Sequence, residues 1–354
     1  MKKFWSDCLK NLNPYTPGEQ PKEKIELKLN TNENPYPPTQ LVNQAICTNG
    51  STDLNLYPDP ESDDLRDVIA DYHKLFKEQV FVGNGSDEIL AFIFYAFFKD
   101  KESVLFPDIT YSFYPVYAKL FEINYQTIPL DENFKINLDS YASNNSAIIF
   151  PNPNAPTSIA LSRNEIELFL KNHMNSIVVI DEAYVDFGTE TALPLLEKYN
   201  NIIITRSMSK SRSLAGLRVG YALGSANLIE GLMRVKNSFN SYPLDRLAQK
   251  ASIASFKDEE YFLSTCNQIV QTRNNFVEAL KALKFSALQP SGNFVLAKPP
   301  KTIDAKSLYL SLKDKGILVR YFPSPVKISS YIRITIGTKE QMEKLISEIK
   351  KILS

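Results

Sequence analysis

The chain runs to 354 residues and 40.2 kDa, more than one hydrophobic core comfortably holds, with 44% apolar and 23% charged residues in an ordinary globular balance. Its 40 basic and 40 acidic residues cancel, so neither nucleic acid nor an anionic membrane is expected as a partner. Cys8, Cys47 and Cys266 are scattered without a CxxC spacing, and His73 and His173 are the only histidines, which argues against a disulfide framework and against a metal site.

Both histidines have polar and charged neighbours in helical stretches and read as surface residues. The first twenty residues hold no apolar run resembling a signal peptide. The longest apolar stretch, Ile89 to Phe98, is too short to span a bilayer and reads as a buried helix. A soluble, cytoplasmic protein is the expectation.

Residues 1–45 are rich in Pro, Asn and Thr, as in Asn30-Thr31-Asn32-Glu33-Asn34-Pro35, and predict an arm that joins part of a small domain. From Val80 short apolar runs alternate with helical stretches. The runs are Val80–Val82, Val104–Phe106, Ala147–Phe150, Ile177–Ile180 and Ile202–Ile204, with helices such as Ser86–Phe98 and Ser162–Asn172 between them. Unbroken apolar runs suit strands covered on both faces, so residues 46–242 predict an α/β domain with a mostly parallel central sheet. Beyond 242 a helical stretch covers 244–283, broken near Lys257-Asp258. Strands follow at Asn293–Ala297, Ile317–Arg320 and Tyr331–Ile336, then a helix over Lys339–Leu353. Residues 243–354 thus predict a smaller α+β domain.

Ligands of open α/β sheets gather outside the carboxyl ends of the strands, so the residues just past each strand carry the chemistry. Val80–Val82 leads into Gly83-Asn84-Gly85-Ser86-Asp87-Glu88, which is either an anion cradle at a helix N-terminus or an ordinary junction capped by Ser86. Ile177–Ile180 leads into Asp181-Glu182-Ala183-Tyr184. A carboxylate ending a buried strand needs a cation, which is either a nearby arginine or a ligand. Ile202–Ile204 leads into Thr205-Arg206-Ser207-Met208-Ser209-Lys210, with Gly216-Leu217-Arg218-Val219-Gly220 beyond it. A phosphate cradle, a buried carboxylate, a phenol and a lysine among hydroxyls form the set that pyridoxal phosphate requires.

With these motifs in order, and with Asn13-Pro14-Tyr15, Tyr57-Pro58, Thr110-Tyr111, Pro153-Asn154-Ala155-Pro156-Thr157 and Arg333-Ile334-Thr335-Ile336-Gly337-Thr338, the chain resembles the fold-type-I aminotransferases that depend on pyridoxal 5′-phosphate. It is most similar to their histidinol-phosphate branch. The resemblance implies that Lys210 carries the cofactor as a Schiff base and shuttles the proton, that Asp181 pairs with the ring nitrogen, and that Tyr184 bonds the ring hydroxyl. It implies that Tyr111 stacks on the ring, although a plain core aromatic is the alternative. It gives the phosphate to Gly85, Ser86, Asp87, Ser207, Ser209 and Arg218, with Tyr57 reaching the neighbouring subunit's cofactor in a homodimer. It gives the substrate to Tyr15, Asn32, Asn240, Arg320 and Arg333. No metal is implied. The substrates are then small molecules: an amino acid, a phosphorylated amino alcohol and a 2-oxo acid.

Two positions depart from the family's Pro-Asn-Asn-Pro-Thr-Gly turn. Ala155 replaces the second asparagine, so either Asn154 bonds the ring hydroxyl or Tyr184 does so alone; and Ser158 replaces the glycine. An aromatic aminotransferase, a threonine-phosphate decarboxylase and a non-catalytic sensor that merely holds the cofactor are the rival readings.

Overall fold

The computed structural model describes every residue except 1–2, 7–8, 10–11, 21–24, 50–52 and 142–145, with only the backbone described at 49. Cys8 therefore lies outside the described residues. An extended arm leads to β1 (Leu27–Lys28), α1 (Gln40–Asn49) and α2 (Asp63–His73). The alternating region then gives β2 (Val80–Gly83), α3 (Gly85–Ile93), β3 (Val104–Pro107), α4 (Tyr114–Leu120) and β4 (Tyr125–Ile128). It continues as β5 (Ala147–Pro151), α5 (Arg163–Asn172), β6 (Val178–Asp181), β7 (Ile202–Ser207) and β8 (Gly220–Gly224). The helix expected over Ser86–Phe98 is α3 plus a π-helical turn at Phe94–Phe98.

These strands form one seven-stranded sheet in the order β2-β8-β7-β6-β5-β3-β4, all parallel except β8, which runs antiparallel to both its neighbours. The unbroken apolar runs have the expected cause. In β5, β6 and β7, Ile148, Phe150, Val178, Ile180, Ile202 and Ile204 enter one core with α2 and α5. The alternate residues Ala147, Ile149, Val179 and Ile203 enter a second core with α3 and α4. A parallel sheet clad on both faces leaves no polar side for its central strands. Neither β4 nor β8 stands out in the sequence: β4 is an edge strand with Gln126 and Thr127 exposed, and β8 begins and ends on glycine.

The chain continues through α6 (Ala226–Phe239), α7 (Arg246–Phe256) and α8 (Glu259–Ala282), the last two meeting at the expected break. Then come β9 (Ser286–Ala287), β10 (Phe294–Lys298), α9 (Ala305–Asp314), β11 (Ile317–Leu318), β12 (Arg320–Tyr321), β13 (Ile332–Thr335) and α10 (Lys339–Leu353). A four-stranded sheet, β12-β13-β10-β9, forms a third core with α8, α9 and α10, and β1 pairs with β11 to join the arm to it. The composition shift at 242 does not coincide with the division of the cores. Leu244, Ala248, Ala251 and Phe256 of the α7 region bury into the large core, where α7 packs on α1 and α2.

The surface reading of the histidines is overturned. His173 is buried, stacked on Phe169 at 3.9 Å, with Nδ1 2.8 Å from the Phe169 carbonyl, because the end of α5 turns inward. His73 Nε2 meets the Tyr221 hydroxyl at 3.0 Å, and burial, with Arg206 nearby, pushes its pKa down to about 3. Among the described residues, no helix is long and apolar enough to cross a membrane.

Candidate active site

Because β2, β5, β6 and β7 are parallel, Gly83, Pro151, Asp181 and Ser207 come to the same edge of the sheet. Register pairs Pro151 with Asp181, Asp181 with Thr205, and Gly220 with both Gly83 and Ser207. A cavity of about 290 Å³ opens there, closed from the other side by the arm and by β12 and β13. Of the residues named from sequence, Tyr15, Asn32, Ser86, Asp87, Tyr111, Asp181, Tyr184, Ser207, Ser209, Lys210, Arg218, Arg320 and Arg333 all line it.

One end is shaped for an anion. Ser86 and Asp87 open α3, whose first N–H groups have no helical partner. Arg218 enters from the loop before β8 in a left-handed conformation (φ 56°) and bonds the Asp87 carboxylate at 3.1 Å and the Ser209 hydroxyl at 3.4 Å. Two glycines make this compactness possible. A Cβ on Gly85 would lie 2.5 Å from the Arg218 guanidinium, and one on Gly220 would lie 2.5 Å from the Ser86 nitrogen. Tyr111 donates to Asp87 at 2.7 Å; burial and the Asp87 charge raise its pKa far above the usual range, so it stays a neutral phenol.

Asp181 sits deeper. It accepts from the Tyr114 hydroxyl at 3.1 Å, the Thr205 hydroxyl at 3.2 Å and the Ala183 N–H at 3.3 Å. Burial pushes its carboxyl up to about 6 despite those bonds. No Lys or Arg among the described residues pairs with it, because the arginine beside it, Arg206, takes Glu182 at 2.8 Å and Asp186 at 3.0 Å instead. The arginine alternative is therefore not met: among the described residues the carboxylate pairs with no cation, and it lines a cavity. Neither Tyr114 nor Thr205 is picked out by the sequence. The first is hidden in an aromatic run, and the second is found only through the β6–β7 register.

Lys210 donates to the Thr31 carbonyl at 3.1 Å, and burial, followed by the Arg333 charge, lowers its pKa to about 8. Tyr184 accepts from Asn32 at 3.0 Å, and burial raises its pKa. At the far end Arg333 donates to the Asn30 carbonyl at 2.8 Å and leaves its Nε buried without a partner. Burial lowers its pKa, as expected of a guanidinium with no acid beside it. Among the described residues Arg320 hydrogen-bonds the carbonyls of Thr16 and Pro17, and Tyr15 stacks on Phe113 at 4.5 Å. Among the described residues neither arginine has an acid partner, which leaves both guanidinium forks able to take an anion.

Gly85 shapes the anion end without lining the cavity, and three other expected residues lie elsewhere. Asn154 is fully buried behind the wall, with its Oδ1 accepting from Thr110 and its Nδ2 donating to the Ile109 carbonyl and to Thr157, so its amide is already spent. Ala155 presents only a methyl to the cavity. Asn240 ends α6 in solvent, where its Oδ1 accepts from the Tyr242 N–H at 3.2 Å. Tyr57 is 77% exposed and stacks on Tyr242 at 4.6 Å, away from the cavity of its own chain.

A planar cation carrying a phosphate matches this layout, which answers on geometric grounds the cofactor expected from the sequence. Comparison with known proteins agrees. The profile described as aminotransferase class I and II matches residues 24–349. A histidinol-phosphate aminotransferase of Pseudomonas syringae pv. syringae is 50% identical over 352 residues, covering 99% of this chain and 100% of that protein. One from Clostridium botulinum is 48% identical over 354 residues, covering 100% and 99%. The crystal structure of histidinol-phosphate aminotransferase from Sinorhizobium meliloti, in complex with pyridoxal-5′-phosphate, superposes with a TM-score of 0.90 at 22% identity, over 99% of this chain and 98% of that one.

Proposed function

The chain belongs to the class I and II aminotransferases, and from that premise we propose that it is a pyridoxal-phosphate enzyme exchanging the amino group of L-histidinol phosphate with 2-oxoglutarate, giving imidazole acetol phosphate and L-glutamate in histidine biosynthesis. The observation that carries the cofactor is Asp181, an enclosed carboxylate that lines the cavity and, among the described residues, pairs with no Lys or Arg. The bound cofactor supplies an electron-accepting pyridinium ring and an aldehyde carbon that carries the amino group.

The residues then divide the work. Asp181 holds a proton on the ring nitrogen, and Tyr184 bonds the ring hydroxyl alone, since Asn154 is engaged elsewhere. Tyr111 covers the ring face. The Ser86 and Asp87 N–H groups, Ser207, Ser209 and Arg218 hold the phosphate. Lys210, with a pKa near 8, keeps a neutral fraction at physiological pH and takes a proton from the substrate carbon. Arg333 grips the amino acid's carboxylate, and Arg320 with Tyr15 grips the phosphate of the phosphorylated substrate. The half-identical relatives and the two acid-free arginines support that substrate.

Leu54, Leu56, Tyr57 and Phe239, all more than half exposed, form an apolar surface suited to a homodimer in which Tyr57 completes the partner's site. Unpaired Cys47 and Cys266 suit a reducing cytoplasm.

The test compares kcat/KM for histidinol phosphate, phenylalanine and threonine phosphate in the purified protein. Histidinol phosphate is expected to lead phenylalanine by about four orders of magnitude, the scale on which a site built to hydrogen-bond a polar group rejects an analogue lacking it. A lead by phenylalanine, or carbon dioxide release from threonine phosphate, would reassign the substrate. A Lys210→Ala protein that kept turnover and the visible absorbance of bound cofactor would end the whole reading.

A further inference from the structure

The turn over residues 31–34 meets Lys210 at both ends. The Lys210 ammonium donates to the Thr31 carbonyl at 3.1 Å. Three residues on, Asn34 Nδ2 donates to the Lys210 carbonyl at 3.0 Å and to the Ser211 carbonyl at 3.1 Å, while its Oδ1 accepts from the Tyr36 N–H at 3.0 Å. Both amide hydrogens are thus spent on consecutive carbonyls, which a carboxylate or a hydroxyl in the same place cannot match.

This turn is physically part of the small core. The Asn32 N–H and Oδ1 bond Thr335 Oγ1 at 3.0 and 3.2 Å, Asn293 donates to the Asn32 carbonyl at 3.0 Å, and Leu29 takes a place beside β11 and β13 through backbone bonds at 2.8 and 3.0 Å. Arg333 of β13 also reaches it, at the Asn30 carbonyl. Lys28 pairs with Glu33 and braces it from below. The lysine loop has other anchors as well: Ser211 donates to Asp186 at 2.6 Å, and the Arg212 guanidinium lies 3.9 Å from the Phe256 ring and 4.1 Å from the Phe262 ring, the latter on α8 of the small core. Asn34 is therefore the hydrogen-bonded contact that joins this turn to the backbone of Lys210.

We infer that Asn34 is a positioning residue for Lys210, fixing the lysine backbone to the small-core turn so that the freed amine returns to one docking point, the Thr31 carbonyl. The inference rests on the role given to Lys210 above. An amine that leaves its carbon partner and comes back as a base needs a stem that does not drift, since a displacement of an ångström is enough to disturb proton transfer.

Asn34→Ala and the isosteric Asn34→Asp test it in the full chain. In cofactor-free protein, acetic anhydride labelling of Lys210 is followed by peptide mass against pH. Both variants are expected to label about tenfold faster, the effect of losing one or two hydrogen bonds that hold the closed position, and the midpoint of the profile should rise from about 8 as the amine gains access to water. In the loaded enzyme, kcat is expected to fall by about 100-fold with KM nearly unchanged, because Arg333 and Arg320 still bind substrate. A labelling profile superimposable on that of the parent, or displaced downward, overturns the inference, as does a loss confined to KM. If Asn34→Ala does not fold, the Asp variant gives the same readout. Labelling reports on the lysine whatever reaction the enzyme performs, so failure here is separable from failure of the transaminase reading.

Discussion

Replacing Asp181 with asparagine should stabilise the cofactor-free protein while crippling the enzyme. The carboxyl lies at about 6 against an ordinary value of 3.8, so the folded state keeps a proton that the unfolded state has released. Its contribution is full below pH 3.8 and is lost as pH rises through about 6. The gap corresponds to about 3 kcal/mol, an upper figure because Tyr114 and Thr205 must readjust to an amide. Urea unfolding of cofactor-free parent and variant at pH 5 and pH 8 measures it. The variant should gain more at pH 8 than at pH 5, and its turnover should fall on the order of 100- to 1,000-fold, as when one pre-organised electrostatic contact is removed. A variant less stable than the parent at pH 8, or a difference that ignores pH, would show that Asp181 is not an uncompensated charge.

Substitutions at two further buried positions test the packing behind the site. Arg206→Met leaves Glu182 and Asp186 without their shared cation in a buried setting and should cost about 3–5 kcal/mol in urea unfolding; a cost below about 1 kcal/mol would contradict the pairing. Ser158 holds a left-handed backbone (φ 65°), and its hydroxyl accepts the buried Gly292 N–H at 2.8 Å. Ser158→Ala keeps the strain and strands that amide, costing about 1–3 kcal/mol, whereas Ser158→Gly strands it too but relieves roughly 1 kcal/mol of strain. The glycine variant should therefore melt higher than the alanine variant, and the reverse order would refute the argument.

How far the sequence is legible depends on how each signal is made. β5, β6 and β7 are visible because both their faces are dry, which writes an uninterrupted apolar run. β4 is not, because its edge position leaves Gln126 and Thr127 in water. β8 is not, because Gly220 is there to let Ser86 approach and carries no strand signal of its own. Lys210 and Asp181 are legible as chemistry at strand ends, and Arg333, inside β13, only through the family resemblance. Tyr114, Thr205 and Asn34 are not, because their value lies in register or in contacts across 176 residues of chain. Asn154 fails as a ligand residue for a local reason: the turn rotates its amide toward Ile109 and Thr157. The histidines mislead because polar neighbours in sequence need not be neighbours in space, and His173 stacks on Phe169.

The bond between the Asn32 N–H and Thr335 spans 303 residues. On a ribosome adding about 5–20 residues per second, that separation amounts to roughly 15–60 s between synthesis of the two partners. Until β13 emerges, the turn beneath Lys210 lacks its bonds to Thr335, and Arg333 does not exist. The large sheet can close well before then, with Asp181 and Lys210 already at its edge. A nascent chain is thus a catalytically silent object carrying most of its reactive groups, and competence arrives almost with the last helix.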